Sequence, residues 1–219
     1  MDISRSPLVI SYAGSLNGFQ PNPIVHRKNS WLQFPYKVNN INHHTRCGYY
    51  FFKGVEKLVS KYEITPKDLQ IHFWGDIDPL NIRQVEDLKL SQFLVFEGYL
   101  SKEKTVENIN NSNALFLPLE SKKDDQKPLF VPGKLYEYFK SKKPIFALAE
   151  ESDVLEFLTK SKLGICCSPF DSEAIADKLF YLIQNKNSLN QLYEPNIKYI
   201  ESFSFVEKTK ELAYIFDNL

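Results

Sequence analysis

Cysteine and histidine are scarce in this chain of 219 residues, and their spacing argues against two kinds of site. Three cysteines are too few for a disulfide framework, and none belongs to a CxxC pair. The four histidines lack the spacing of a zinc-binding motif such as HExxH. We therefore expect reduced thiols, no bound metal and no cofactor. The residues concerned are Cys47, Cys166, Cys167, His26, His43, His44 and His72.

Net charge and long apolar runs are lacking as well. Lysine and arginine together number 27, as do aspartate and glutamate, so no global field attracts nucleic acid or an anionic membrane. The apolar runs are far shorter than a membrane-spanning helix, and residues 1–14 lack the basic-then-apolar order of a signal peptide. We expect no nucleic-acid partner, no transmembrane segment and a soluble, cytoplasmic chain.

The sequence contains instead a regular alternation of short apolar runs and amphipathic stretches. This pattern predicts an α/β fold: a doubly wound, Rossmann-like parallel sheet of about six strands with helices on both faces. A hydrophobic content of 43% supports one core, so we expect residues 1–219 to form a single domain. The predicted strands cover residues 8–12, 70–74, 93–96, 114–117, 144–148 and 163–167.

Apolar periodicity and capping residues predict the helices between these strands. Ser101, Ser152 and Asp171 are candidate caps for three of them. In a doubly wound sheet, ligands are expected at the carboxyl ends of the strands. The predicted helices cover residues 49–62, 82–88, 101–111, 134–140, 152–160 and 171–184.

Two segments depart from the alternation. Residues 14–45 are too long for an ordinary strand-to-helix loop, so this segment is either functional or partly disordered. Residues 205–219 have the pattern of a terminal helix, with an apolar stripe that needs a surface to pack against. The stripe consists of Val206, Leu212, Ala213, Ile215 and Phe216.

One acid lies where a nucleotide could be held. Glu137 follows Pro132 and Gly133, where we expect unusual backbone conformations and free amides at a helix start. Such amides can face phosphate while the carboxylate faces sugar hydroxyls. Lys134 begins the helix and could place its ammonium group on a diphosphate. The other interpretation is that Glu137 is a solvent-facing acid stabilised by the helix start and Lys134 an ordinary exposed lysine.

Six motifs occur in a particular order along the chain. They are YAGSL (12–16), IHFWGD (71–76), VFEGYLSKEKTVENINNSNALFLPL (95–119), GKLYEYFKSKKPIFAL (133–148), LGICCSPFDSEAIADKLFYLI (163–183) and ESFSFVEKTKELAYIF (201–216). Each alone is generic for Rossmann-like domains. As an ordered set, they resemble the C-terminal, donor-binding domain of the retaining glycosyltransferases of the GT-B architecture, in the group called family 4 or group 1.

This resemblance implies roles for residues around the acid and the first strand. Glu137 corresponds to the acid that binds the ribose hydroxyls of the donor nucleotide. The backbone of Pro132 and Gly133 would cover the sugar and the diphosphate, and Lys134 would offer its ammonium group to the diphosphate. Gly14 and Ser15 correspond to the glycine turn after the first strand, where the backbone comes close to phosphate or sugar.

The resemblance extends to the residues that contact the nucleotide base, but not to the acid that contacts the transferred sugar. Tyr99 and Leu100 correspond to the loop that contacts the nucleotide base. Leu129 stands where the family has a second acid, eight residues before Glu137, that contacts the transferred sugar. The family's positive residues on the diphosphate have no clean counterpart. Arg46 is a candidate for that role, and the other interpretation of Arg46 is a solvated surface charge.

The function implied is donor binding. The chain would be the nucleotide-sugar-binding half of a retaining, metal-independent glycosyltransferase that uses a UDP- or GDP-sugar and a glycan or lipid-linked acceptor, as in polysaccharide biosynthesis. Its catalytic residues are unknown. Residues 204–219 would cross toward an N-terminal acceptor-binding domain that is not in this chain. The full-length enzyme would be cytoplasmic, with peripheral attachment to the inner membrane left open.

The alternative is a non-catalytic Rossmann-like module for binding or protein interaction. The leucine at position 129 favours this alternative, because it removes the family's sugar-contacting acid.

Overall fold

A computed structural model describes residues 6–19, 41–122 and 130–218 of the chain. Its strands fall into a six-stranded parallel sheet and a two-stranded antiparallel ladder, the latter formed by β2 and β6. In chain order the strands are β1 (Leu8–Ala13), β2 (Ile41–Asn42), β3 (Leu69–Trp74), β4 (Leu94–Gly98), β5 (Ala114–Pro118), β6 (Ser121–Lys122), β7 (Ile145–Leu148) and β8 (Gly164–Cys167). The six predicted strands are confirmed to within two residues at either end.

The helices follow the predicted ones, with one clear difference. The second helix begins earlier than predicted, at Pro79, because the Asp78 side chain accepts a hydrogen bond from the Leu80 amide and proline suits a first helical position. The α-helices are α1 (Tyr49–Tyr62), α2 (Pro79–Asp87), α3 (Lys102–Asn111), α4 (Lys134–Ser141), α5 (Asp153–Ser161), α6 (Ser172–Gln184), α7 (Leu189–Leu192), α8 (Ile197–Glu201) and α9 (Phe205–Asp217).

The strand order of the large sheet is β4-β3-β1-β5-β7-β8, with every pairing parallel. The chain therefore builds outward from β1 in one direction and then returns to build outward from β5 in the other. This is the doubly wound Rossmann-like order, and the predicted fold class is confirmed. The order reverses between β1 and β5, so a crevice is expected outside their carboxyl ends.

Residues alternate between the two faces along the buried strands, and this places the core on both sides of the sheet. In β5, Phe116 packs with α1 and α6, whereas Leu115 and Leu117 pack with α4 and α5. The ring of Phe51 in α1 stacks on Phe116 with centroids 4.2 Å apart. Because helices cover both faces, β5 is an unbroken apolar run rather than a polar-apolar alternation.

The two segments that depart from the alternation have different outcomes. Residues 20–40 lie outside the described part of the chain, and the segment's end forms β2, which pairs with β6 just after β5. The terminal helix is present as α9, but none of its residues is buried. Within the three described ranges, no helix is both long enough and apolar enough to cross a membrane.

Candidate functional site

The turn after β1 lies at the predicted crevice. Gly14 has φ +129, a conformation that side chains rarely allow, and its amide donates to the Trp74 carbonyl at the end of β3, 2.8 Å away. Gly75 follows Trp74, and a Cβ there would lie 2.6 Å from the Gly14 carbonyl oxygen. Both glycines are thus required by close backbone approach, which opens the edge of the sheet beside Ser15.

Lys134 reaches across this turn from the start of α4. Its Nζ donates to the Tyr12 hydroxyl at 2.6 Å and lies 3.8 Å from the centroid of the Tyr12 ring. A Cβ on Gly14 would lie 2.7 Å from the same Nζ. The glycine therefore makes room for the lysine, and the structure brings together Gly14 and Lys134, two residues that the sequence had linked only through the resemblance.

The Lys134 side chain is only partly exposed, and its ammonium group donates to a neutral hydroxyl. The pKa of Lys134 is lowered from 10.5 to about 7, mainly by burial and also by the positive charge of Arg46, whereas Glu137 opposes this shift in part. This lysine is therefore not the ordinary exposed lysine of the second interpretation. A bound anion would restore the charged form of its side chain, since an adjacent negative charge raises a lysine pKa.

Two tyrosines fix the geometry of the turn. The Tyr12 hydroxyl donates to the Ser15 carbonyl at 2.5 Å, which completes a chain of hydrogen bonds from Lys134. The Tyr138 hydroxyl in α4 accepts from the Ala13 amide at 3.3 Å. Burial raises the pKa of Tyr12 to about 12, so its hydroxyl remains a donor at neutral pH. Both tyrosines were missed from sequence, where each reads as a core residue of a strand or helix.

Arg46 is a second cation near the crevice, and its side chain is 33% exposed. Its guanidinium lies 3.7 Å from the buried Glu120 carboxylate and 5.1 Å from the Phe130 ring centroid. The neighbouring Thr45 hydroxyl donates to the Leu119 carbonyl at 2.9 Å, which attaches this segment to the end of β5. Arg27, the other arginine of the long segment, lies outside the described residues.

A buried asparagine joins the loop after β1 to the start of α1. The Asn81 side chain donates to the carbonyls of Leu16 and Asn17, each at 3.1 Å, and accepts from the Gly48 amide at 3.2 Å. Asn81 is fully buried, so these bonds satisfy a group that would otherwise cost free energy. Sequence offered no signal for this residue, because the bonds that join the two loops go to distant backbone groups; its further bond, to the Asp78 carbonyl at 3.3 Å, is local.

The start of α4 is open, although its backbone is ordinary. Gly133 has φ −55 and ψ −31, which is helical, so the expectation of an unusual conformation here is wrong. Among the described residues, no atom beyond the adjoining backbone lies within 4 Å of the position that a Cβ on Gly133 would take, and no side-chain hydrogen bond caps the helix. Glycine at this position leaves space over the helix start, where an anion is favoured.

Glu137 is exposed on the first turn of α4. It lies close enough to influence Lys134 electrostatically, and with Gly133 it lines a groove of about 680 Å³ between α4 and the segment joining α8 to α9. The wall of that groove includes Phe139, Phe203 and Phe205. The carboxylate of Glu137 is therefore available to a ligand.

The predicted base loop lies beyond the other side of the glycine turn. The Gly75 amide donates to the Gly98 carbonyl at 2.7 Å, and Gly98 has φ +69. Tyr99, which follows, is 79% exposed, whereas Leu100 packs partly buried against the core below. Leu129, the position of the family's second acid, lies outside the described residues.

No group of three or more histidine, cysteine or acidic side chains suited to a metal ion occurs among the residues described. The positive charge at the crevice comes from Lys134 and Arg46.

The fold and the crevice together define a Rossmann-like class of domain. No family model matches the sequence, and no curated protein matches it. Solved structures do match the fold. HepE from Anabaena, solved in complex with UDP, aligns with 98% of this chain at 13% identity and a TM-score of 0.61. Sucrose-phosphate synthase from Thermosynechococcus elongatus aligns with 98% at 11% identity and a TM-score of 0.62.

The fraction of each solved structure that this chain covers differs among the three. This chain covers 50% of HepE and 46% of the sucrose-phosphate synthase, so it spans about half of each. It covers 87% of the C-terminal domain of the group 1 glycosyl transferase LpcC from Francisella tularensis, with 15% identity and a TM-score of 0.58. The chain thus has the fold of these glycosyltransferase structures.

Proposed function

We propose that this chain is the donor-binding domain of a retaining glycosyltransferase of the GT-B type and that it binds a UDP- or GDP-sugar. The observation that carries this is the meeting of Lys134 with the Gly14 turn at the reversal of strand order. Its fold is that of HepE, which was solved in complex with UDP and with UDP-glucose. A cation with little solvent, beside an uncapped helix start, is a setting in which phosphate binds well.

The proposed donor runs along the crevice in three parts. The diphosphate lies between the Gly14–Ser15 turn and the start of α4, within reach of Lys134 and Arg46. The ribose hydroxyls bond to Glu137, whose two carboxylate oxygens can accept from a vicinal diol. The base lies on the loop of Tyr99 and Leu100. The cations supply the charge that a metal supplies elsewhere, so binding needs no metal.

The acceptor and the sugar-transfer chemistry require a second domain in this proposal. The second acid of the family is replaced by Leu129, so no residue of this chain is assigned to catalysis. Helix α9 exposes Phe205, Val206, Leu212, Ile215 and Phe216, which suits a surface covered by an N-terminal acceptor-binding domain. The whole enzyme would act in the cytoplasm on a glycan or lipid-linked acceptor, in polysaccharide biosynthesis.

Thermal unfolding with added nucleotides tests donor binding. A nucleotide at about one hundred times its Kd should stabilise the chain by about 2.7 kcal/mol, because it binds only the folded state. The shift should occur with UDP or GDP and their sugars, in the presence of EDTA. Lys134→Met and Glu137→Ala should each remove most of it.

Matched controls separate these contacts from general effects of charge. Lys160→Met, on α5, and Glu211→Ala, on α9, change charge at exposed positions and should keep the full shift. An absence of any shift in the unchanged chain would contradict the proposal and favour a non-catalytic binding module.

A further inference from the structure

The ends of β3 and β4 carry a side-chain cluster that the donor-binding proposal leaves unused. One carboxylate oxygen of Glu97 accepts the Trp74 indole N–H at 3.0 Å and lies 2.9 Å from Nδ1 of His72. These hydrogen bonds, that of His72 first, lower the pKa of the Glu97 carboxyl group, which keeps it ionised at neutral pH. Glu97 directly precedes Gly98 and the base loop.

An irregularity in strand pairing places Glu97 in this position. Phe73 pairs with Phe96, but the next residue of β3, Trp74, pairs with Gly98. Glu97 is therefore an extra residue in β4, as in a β-bulge, and such bulges re-aim side chains near functional sites. The carboxylate points back over β3, so it connects the end of that strand to the loop that leaves β4.

The buried indole N–H of Trp74 has this carboxylate as its hydrogen-bond acceptor. The residue is 4% exposed and belongs to the core cluster on which Leu100 packs. A buried indole N–H without an acceptor costs free energy, so removing the Glu97 acceptor would favour movement of the ring. The displaced ring would disturb the support under Leu100 and the loop beside it.

We propose that Glu97 is a positioning residue: by accepting hydrogen bonds from His72 and Trp74, its carboxylate holds the loop that contacts the base of the bound nucleotide. This inference rests on the proposed donor binding and deepens it. The exposed ring of Tyr99 is held at the surface, where a base stacks on it. Glu97 itself does not touch the ligand, so it affects only the part of the binding free energy that the base contributes.

Calorimetric titration with UDP, GDP and inorganic pyrophosphate tests whether Glu97 affects only the part of the binding free energy that the base contributes. Glu97→Ala should weaken nucleoside diphosphate binding about tenfold, while pyrophosphate binding changes less than about twofold. Glu97→Gln should rescue most of the affinity, because its amide oxygen still accepts from the Trp74 indole. The matched control is Glu107→Ala in α3, which removes an exposed carboxylate paired with Lys104 at 3.0 Å and should leave both affinities unchanged.

Results that contradict the positioning role differ from those that contradict donor binding. Equal losses for nucleotide and pyrophosphate, or no loss in Glu97→Ala, would overturn the positioning role while leaving donor binding intact. If Glu97→Ala does not fold, His72→Ala replaces it, because this variant keeps the hydrogen bond between Glu97 and Trp74. His72→Ala should weaken nucleotide binding about threefold and leave pyrophosphate binding unchanged. A result without that selectivity overturns the positioning role as well. Failure of the unchanged chain to bind any nucleotide would overturn the donor proposal itself.

Discussion

Helices α4 and α9 have similar amphipathic patterns in sequence and opposite environments in the fold. The shorter helix, α4, buries Leu135, Tyr138 and Phe139 in the core cluster below the sheet. The longer one, α9, buries no residue, and its Phe205 is 86% exposed. Both follow an uncharged N-cap residue, Gly133 in α4 and Ser204 in α9, and both carry acids and lysines on their remaining faces.

The difference shows that the formation of an amphipathic helix and the presence of a surface for it to pack against are decided separately. An apolar stripe specifies a helix with one face to bury, but the partner surface comes from elsewhere in the fold. For α4 that surface is the sheet, and its packing carries Lys134 to the Gly14 turn. For α9 no such surface exists within the described residues, which agrees with the proposed role as a surface for a second domain.

The largest expected effect is the cost of removing an aromatic ring from each helix. Phe139→Ala in α4 should lower the free energy of unfolding by about 3–5 kcal/mol, because it leaves a cavity in the core. The matched change Phe216→Ala in α9 should cost less than about 0.5 kcal/mol, because its ring is in solvent. Urea denaturation measures both. Similar costs for the two variants would contradict the comparison.

A pair of glycine variants tests how α4 meets the β1 turn. Gly14→Ala should destabilise the chain by about 1–3 kcal/mol, because its Cβ would be strained at φ +129 and would contact the Lys134 Nζ. Gly133→Ala places a Cβ in open space on helical backbone, and it should be neutral or stabilise by up to about 1 kcal/mol. Chemical denaturation again gives the comparison. A larger loss of unfolding free energy in Gly133→Ala than in Gly14→Ala would contradict this expectation.

The pH dependence of Lys134 gives a third test. Its pKa is lowered from 10.5 in the unfolded chain to about 7 in the folded one, so between these values the unfolded chain binds the extra proton. Stability should therefore rise with pH in this window, by at most about 1.4 kcal/mol per unit. Lys134→Met should remove this rise. Lys210→Met, which neutralises an exposed lysine of α9, should keep it.

Nucleotide binding should show the opposite sign. The diphosphate favours protonated Lys134, so the affinity should fall as pH rises above about 7, by up to about tenfold per unit. Titrations of the unchanged chain from pH 6 to 9 measure this fall. A flat profile would mean that Lys134 does not contact the phosphates.

The smallest expected effect belongs to the apolar stripe of α9. Leu212→Ser and Ile215→Ser should each change the free energy of unfolding by less than about 0.5 kcal/mol, since both side chains are more than half exposed. The measurement is denaturation of the isolated chain. A loss above about 1 kcal/mol would mean that α9 packs on this domain in solution, and the contrast with α4 would disappear.

Much of the fold was predictable from local pattern, whereas the site was predictable only in part. The strands and the helix caps at Ser101, Ser152 and Asp171 follow from apolar runs and short polar side chains, and all three caps form as expected. Glu137 and Lys134 were predicted from their position at a helix start, and motif resemblance added Gly14 and a role for each of the three. Their assigned roles remain predictions, although the structure places Lys134 against the Gly14 turn.

The parts that could not be predicted depend on contacts between distant residues. Tyr12 reads as a core residue of a strand, and only the fold places its hydroxyl between Lys134 and Ser15. Asn81 reads as an ordinary helix residue, yet it joins two distant loops. The bulge that re-aims Glu97 depends on the register of β3 against β4.

The sequence by itself determined the class of fold, because short apolar runs of strand length that alternate with amphipathic helical stretches predict a parallel sheet with helices on both faces. It also determined that α9 would be amphipathic. Only the tertiary structure decided that Lys134 loses its solvent beside Tyr12 and Gly14, that Arg46 lies at the end of β5, and that α9 stays uncovered. Burial and distance between remote residues are set by strand order, and no local pattern records them.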